Sequence, residues 1–117
     1  MTQTLTRMPE STWVDVCPLG RLLPDRGVCA LVGGTQVAVF RTSGDALYAV
    51  SNWDPFGRAP VISRGLVGSV GVEPKVASPL LKHTFSLETG MCFEEPSVAL
   101  DVYDVRVHDG MVQVSTA

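Results

Sequence analysis

The sequence predicts an all-β domain, an antiparallel sandwich of short strands with at most one or two helical turns. Three observations point there. Apolar and β-branched residues come in short runs, about nine of them, bounded by turn residues. The turn signals recur at regular intervals along the chain. No segment carries the apolar stripe of an amphipathic helix.

The runs follow in order. Trp13-Val14-Asp15-Val16 alternates as a half-buried strand does. Cys17-Pro18-Leu19-Gly20-Arg21-Leu22 suits one helical turn, and Pro24-Asp25-Arg26-Gly27 reverses the chain. Val28 to Val32 is a β-branched run, and Gln36 to Arg41 returns from it. Gly33-Gly34 joins them, because glycine accepts the positive φ of a two-residue hairpin turn. Ser43-Gly44-Asp45 turns again into a strand from Ala46 to Ser51. Val61-Ile62-Ser63-Arg64-Gly65 suits a second helical turn. Leu66 to Val72 reads as a strand broken by Gly68 and Gly71, and Lys75 to Ala77 follows. His83 to Leu87 and Met91 to Phe93 flank the turn Glu88-Thr89-Gly90. Leu100 to His108 and Met111 to Val114 form the last pair around Asp109-Gly110, a strong two-residue turn signal. In the first of these, Tyr103, Val105 and Val107 share one face, and Asp104, Arg106 and His108 the other.

Composition narrows the class. The chain has 117 residues, enough for one domain with a modest core. Residues 1–11 are expected to be a mobile tail and residues 12–117 the single domain. Apolar content is 45%, charged content 18% and net charge −3. Lys and Arg are scattered without a basic stripe, which argues against nucleic-acid binding. No segment approaches the roughly 18 apolar residues of a membrane span. Met1 to Glu10 is polar and lacks the apolar stretch of a signal peptide. Cys17, Cys29 and Cys92 are odd in number and far apart. That pattern suits buried free thiols in a reducing compartment, so a cytoplasmic location is expected.

Two Pro-containing loops carry the chemical information. One is Asn52-Trp53-Asp54-Pro55-Phe56-Gly57-Arg58-Ala59-Pro60. The other is Val76-Ala77-Ser78-Pro79-Leu80-Leu81, continuing to Phe85 and Thr89-Gly90. Their spacing resembles that of a Rieske centre, where two loops each give one Cys and one His to a two-iron cluster. On the C-x-H spacing of the first Rieske loop, Asp54 takes the Cys position and Phe56 the His position. On the C-x-x-H spacing of the second, Ser78 and Leu81 take them. Phe and Leu cannot ligate iron, and the hard oxygens of Ser and Asp match a sulfide cluster poorly. No bound iron–sulfur cluster is therefore expected.

The phrases Asn52-Trp53-Asp54-Pro55-Phe56, Val61-Ile62-Ser63-Arg64-Gly65-Leu66-Val67-Gly68 and Val76-Ala77-Ser78-Pro79-Leu80 resemble the small subunit of bacterial assimilatory NAD(P)H-dependent nitrite reductase. Tyr103-Asp104-Val105-Arg106-Val107 and Asp109-Gly110 do so too, and the resemblance runs from about Trp13 to Val114. The D-P-F and S-R-G phrases mark the cluster-free branch of the Rieske-like fold, whereas Gly57-Arg58-Ala59-Pro60 also resembles cluster-binding loops. The resemblance implies an all-β Rieske-like (ISP-type) sandwich. It also implies a large nitrite reductase subunit as partner. That partner carries FAD, sirohaem and an iron–sulfur cluster and reduces nitrite to ammonia with NAD(P)H.

The residues leave two placements open at the loops. Phe56 and Leu81 either fill the space of the absent cluster, or join Trp53 and Leu80 in an exposed apolar patch for docking the partner. No catalytic residue is expected in this chain. His83 and His108 have no neighbours at metal-ligand spacing. Ser78 lacks a G-x-S-x-G setting, and the glycines form no phosphate loop. Two other readings stand beside the small-subunit one. The chain could carry a 2Fe-2S cluster on unexpected ligands, Cys17, Cys29 or Cys92, or serve as an interaction module of another oxidoreductase.

Overall fold

The computed structural model describes residues 13–116. The expected tail, residues 1–11, lies outside the described residues. Eleven short strands follow one another: β1 Val14–Pro18, β2 Arg26–Val32, β3 Thr35–Arg41, β4 Leu47–Ser51, β5 Trp53–Asp54, β6 Ala59–Pro60, β7 Leu66–Val70, β8 Glu73–Ala77, β9 Thr84–Ser86, β10 Val102–His108 and β11 Met111–Ser115. They form a six-stranded sheet in the order β1-β11-β10-β4-β3-β2, a three-stranded sheet β7-β8-β9, and the small pair β5-β6. Every strand pairing is antiparallel.

Turn chemistry sets the hairpins. Gly33 and Gly34 have φ of 56° and 84°, and Asp109 and Gly110 have φ of 52° and 77°. Both pairs are left-handed at two central positions, the geometry that matches strand twist. The expected helical turns are single 3₁₀ turns at Leu19–Arg21 and Ile62–Arg64.

Three expectations are corrected. Gly68 does not break its strand; β7 runs through it and pairs Gly68 with Lys75. The chain then reverses at Gly71, which has φ of 60°. Met91 to Phe93 forms no strand, only isolated bridges from Met91 to Ala99 and from Cys92 to Phe85. Cys29, expected as a buried thiol, is exposed on the edge strand β2.

Two apolar clusters hold the sheets. β3 is buried on both faces, as a central strand of a covered sheet is. Its Val37 and Val39 join Leu22, Val32, Ala49, Val112 and Val114 in one cluster. Residues of both outer strands, Val14 and Val16 of β1 and Val28 and Ala30 of β2, pack on that cluster. The six-stranded sheet therefore curls around it. Ala38 and Phe40 point the other way and meet Ile62, Val76, Phe85, Leu87 and Cys92. This second cluster joins the curled sheet to the three-stranded sheet, and the two Pro loops lie at its border.

Candidate functional site

The first loop begins at Asn52, directly after β4. Its buried amide is a hub. Nδ2 donates to the Pro60 carbonyl at 3.0 Å and to Gln36 Oε1 at 3.2 Å, and Oδ1 accepts the Ser63 N–H at 2.7 Å. The main-chain N–H donates to Gln36 O, and the carbonyl accepts from Ile62 N–H, both at 3.1 Å. One side chain thus ties both ends of the loop to β3 and to the second 3₁₀ turn.

Asp54 is fully buried. Its Oδ1 accepts the N–H groups of Phe56 at 2.9 Å and Gly57 at 3.0 Å, which coils the loop into an Asx turn. Its Oδ2 accepts the hydroxyl of Ser78, from the second loop. The Ser78 oxygen in turn accepts the Leu80 N–H at 3.3 Å, and Ser78 N–H donates to His83 O at 2.9 Å. The two residues at the Rieske cysteine positions are therefore joined to each other by a hydrogen bond. Burial would push the Asp54 carboxyl up. The Ser78 hydroxyl, the Gly57 and Phe56 N–H groups and the nearby His83 reverse this and hold it below its ordinary value.

At the histidine positions the two loops differ. The Phe56 ring is half-buried, packs on the cluster around Phe85, and stacks on His83 with centroids 3.7 Å apart and planes within 5°. Leu81 is 60% exposed, and its neighbour Leu80 is 45% exposed. Trp53 is 48% exposed. Phe56 thus occupies space beside the core, while Trp53, Leu80 and Leu81 face outward. The loop turns complete themselves on Arg58 and Lys82, with φ of 57° and 64°. Both are exposed cations in a backbone region that ordinary residues rarely take.

The donor set does not fit a two-iron cluster. Both Asp54 oxygens and the Ser78 hydroxyl are engaged, and neither residue is a thiolate. The three cysteines stand in separate surroundings. Cys17 and Cys29 lie on the outer strands β1 and β2, at opposite ends of the six-stranded sheet, and Cys92 sits in the other cluster. Burial pushes the Cys17 and Cys92 thiols up, away from the thiolate that iron requires. Among the described residues, no three His, Cys, Asp or Glu side chains converge as a metal site.

Two residues organise the site in ways that sequence reasoning did not assign: Asn52, named only as part of its loop, and His83, weighed only as a metal ligand. Nothing in local spacing marks either one, since their partners lie on other strands and loops.

Residues 12–115 match the Rieske-like [2Fe-2S] domain family. The nitrite reductase (NADH) small subunit of Salmonella typhimurium is 48% identical over 105 residues, 89% of this chain and 97% of that one. A crystal structure named as an NADH-dependent nitrite reductase small subunit from Mycobacterium tuberculosis is 43% identical. It superimposes with a TM-score of 0.87, covering 90% of this chain and 95% of that one. The nitrite reductase [NAD(P)H] large subunit of Klebsiella oxytoca is 37% identical over 107 residues, which are 92% of this chain but 11% of that longer one.

Proposed function

The chain belongs to the Rieske-like [2Fe-2S] domain family and to the nitrite reductase (NADH) small subunits, and we propose that, despite the first membership, it acts without a cluster of its own. In this reading it is the non-catalytic subunit of an assimilatory nitrite reductase. It docks on the large subunit and orders it, while the large subunit carries FAD, sirohaem and an iron–sulfur cluster and reduces nitrite to ammonia with NAD(P)H.

The observation that carries the proposal is the Asp54–Ser78 hydrogen bond. It closes the two loops across the positions where a cluster would otherwise bridge them. The Phe56–His83 stack adds a second clasp. The loop frame is thereby kept rigid without iron. What the frame then presents is the outward apolar group Trp53, Leu80 and Leu81, with Phe56 behind it as support. Exposed apolar side chains on a rigid rim suit a protein partner.

The Klebsiella oxytoca relative supports that choice of partner. There, sequence like this chain lies within a large subunit. Covalent linkage raises the effective concentration of two modules that must meet.

The test is a reconstitution. Purified large subunit is assayed for NADH-dependent nitrite reduction with and without this chain, and the complex is followed by size-exclusion chromatography. A stable complex and a higher rate with the chain present are expected. Equal rates and no complex would count against the proposal. Iron analysis of the isolated chain addresses the cluster separately, and a stoichiometric iron content would overturn that part.

A further inference from the structure

The S-R-G phrase, Ser63-Arg64-Gly65, is left unexplained by the loops. It lies on a seam between the two sheets. Two depressions meet there at Asp25. One, of about 380 Å³, is lined by Arg26, Ser63, Arg64 and Leu66. The other, of about 320 Å³, is lined by Thr42, Ser43, Tyr48 and Ser69. Strand β7 borders both.

β7 is an outer strand of its sheet. Its residues, Leu-Val-Gly-Ser-Val, include no charge and no proline, the usual guards of a free edge. Leu66 is 78% and Val70 47% exposed. Among the described residues, 66–70 make no backbone hydrogen bond outside the β7–β8 pair. Such an edge accepts an extended segment as a further strand.

Charge indicates what kind of segment. Arg26 and Arg64 are exposed on one depression, and among the described residues neither is in an ion pair. Two free guanidinium groups in a chain of net charge −3 form a local cationic spot. The planar guanidinium fork matches a carboxylate. Asp25 lines both depressions and offsets one of the two positive charges, so the arginine depression keeps a net positive charge while the other does not.

We propose that this seam is a second docking seat, taking an extended acidic segment of the large subunit as a strand on the β7 edge, with its carboxylate on Arg26 and Arg64. The proposal rests on the large subunit being the partner.

Hydrogen–deuterium exchange of this chain, alone and with purified large subunit, tests it. Slower exchange of amides in 66–70 on complex formation is expected. The double variant Arg26→Glu, Arg64→Glu should weaken the complex at least about tenfold at low salt, with a smaller difference at high salt. Protection at 53–58 and 78–82 without protection at 66–70 would overturn this inference and leave the docking reading intact. Absence of any complex would overturn both. Protection of 66–70 that grows with the concentration of this chain alone would assign the edge to a second copy, and so overturn the proposal too.

Discussion

Asp54 shows what makes a buried charge tolerable. A carboxylate removed from water is costly unless its lone pairs are satisfied. Here two backbone N–H groups and one hydroxyl satisfy them. Removing the hydroxyl leaves Oδ2 buried and unpaired, so Ser78→Ala should destabilise the fold by about 2–3 kcal/mol in urea titrations. The pH dependence has a definite sign. The folded-state carboxyl is held below its ordinary value of 3.8. Its contribution is therefore complete above that value and fades as pH falls through the lower, folded one. In Ser78→Ala one of the groups lowering the carboxyl is gone, so the Asp54 titration followed by NMR should move upward. A titration unchanged from the parent protein would show that the hydroxyl does not stabilise the charge. Glu94 is a second acid-sensitive clasp, held at about 2 chiefly by the Thr84 hydroxyl and N–H. Because it lies at the surface, its effect on stability is small.

At the scale of elements, glycine decides how closely the pieces approach. A Cβ on Gly65 would stand 2.5 Å from the Ala77 carbonyl oxygen and 2.6 Å from Val76 Cγ2. Backbone cannot yield there, since β8 is the central strand of its sheet. A Cβ on Gly57 would stand 2.6 Å from Leu80 Cδ1, the end of an exposed side chain that can swing away, and 3.0 Å from Asp54 Oδ2 and 3.2 Å from Leu80 Cβ, which need give by only a few tenths of an ångström. Gly65→Ala should therefore cost about 3 kcal/mol and Gly57→Ala about 1 kcal/mol. Equal losses in denaturant titrations would contradict this account of the packing. The same contrast explains what could be read from the sequence. Hairpins such as Gly33-Gly34 and Asp109-Gly110 were legible because their chemistry is local. The Rieske-like frame was legible because loop spacing is a local pattern too. Gly68 misled because a glycine inside a strand looks like a break, yet five cross-strand pairs of the β7–β8 ladder carry the chain through it. Met91 to Phe93 misled in the opposite way, since an apolar run becomes a strand only if a neighbour has a free edge in register. The Asp54–Ser78 bond, the Phe56–His83 stack and the Asn52 hub were beyond local reading. Each joins residues many positions apart, and only the packed sheets bring them together.

On the scale of the whole molecule, the rim of the two loops and the β7 seam are the two surfaces proposed to meet the partner. The rim lends itself to a direct separation of folding from docking. Leu80 and Leu81 are exposed, so replacing them with serine removes little buried area, and stability should stay within about 0.5 kcal/mol of the parent. If these side chains enter the partner, they become buried on binding, and apolar anchors of that kind dominate an interface. Leu80→Ser with Leu81→Ser should then weaken binding to the large subunit by tenfold or more, about 1.4 kcal/mol at least. Phe56→Ala should behave differently. It opens a gap against the Phe85 cluster and ends the stack on His83, so it should lower stability first and binding as a consequence. The two measurements, urea midpoint and affinity, place each residue on one side of the division. A double serine variant that folds and binds like the parent would deny the rim its role. A Phe56→Ala variant that loses binding with no loss of stability would move Phe56 from support to contact.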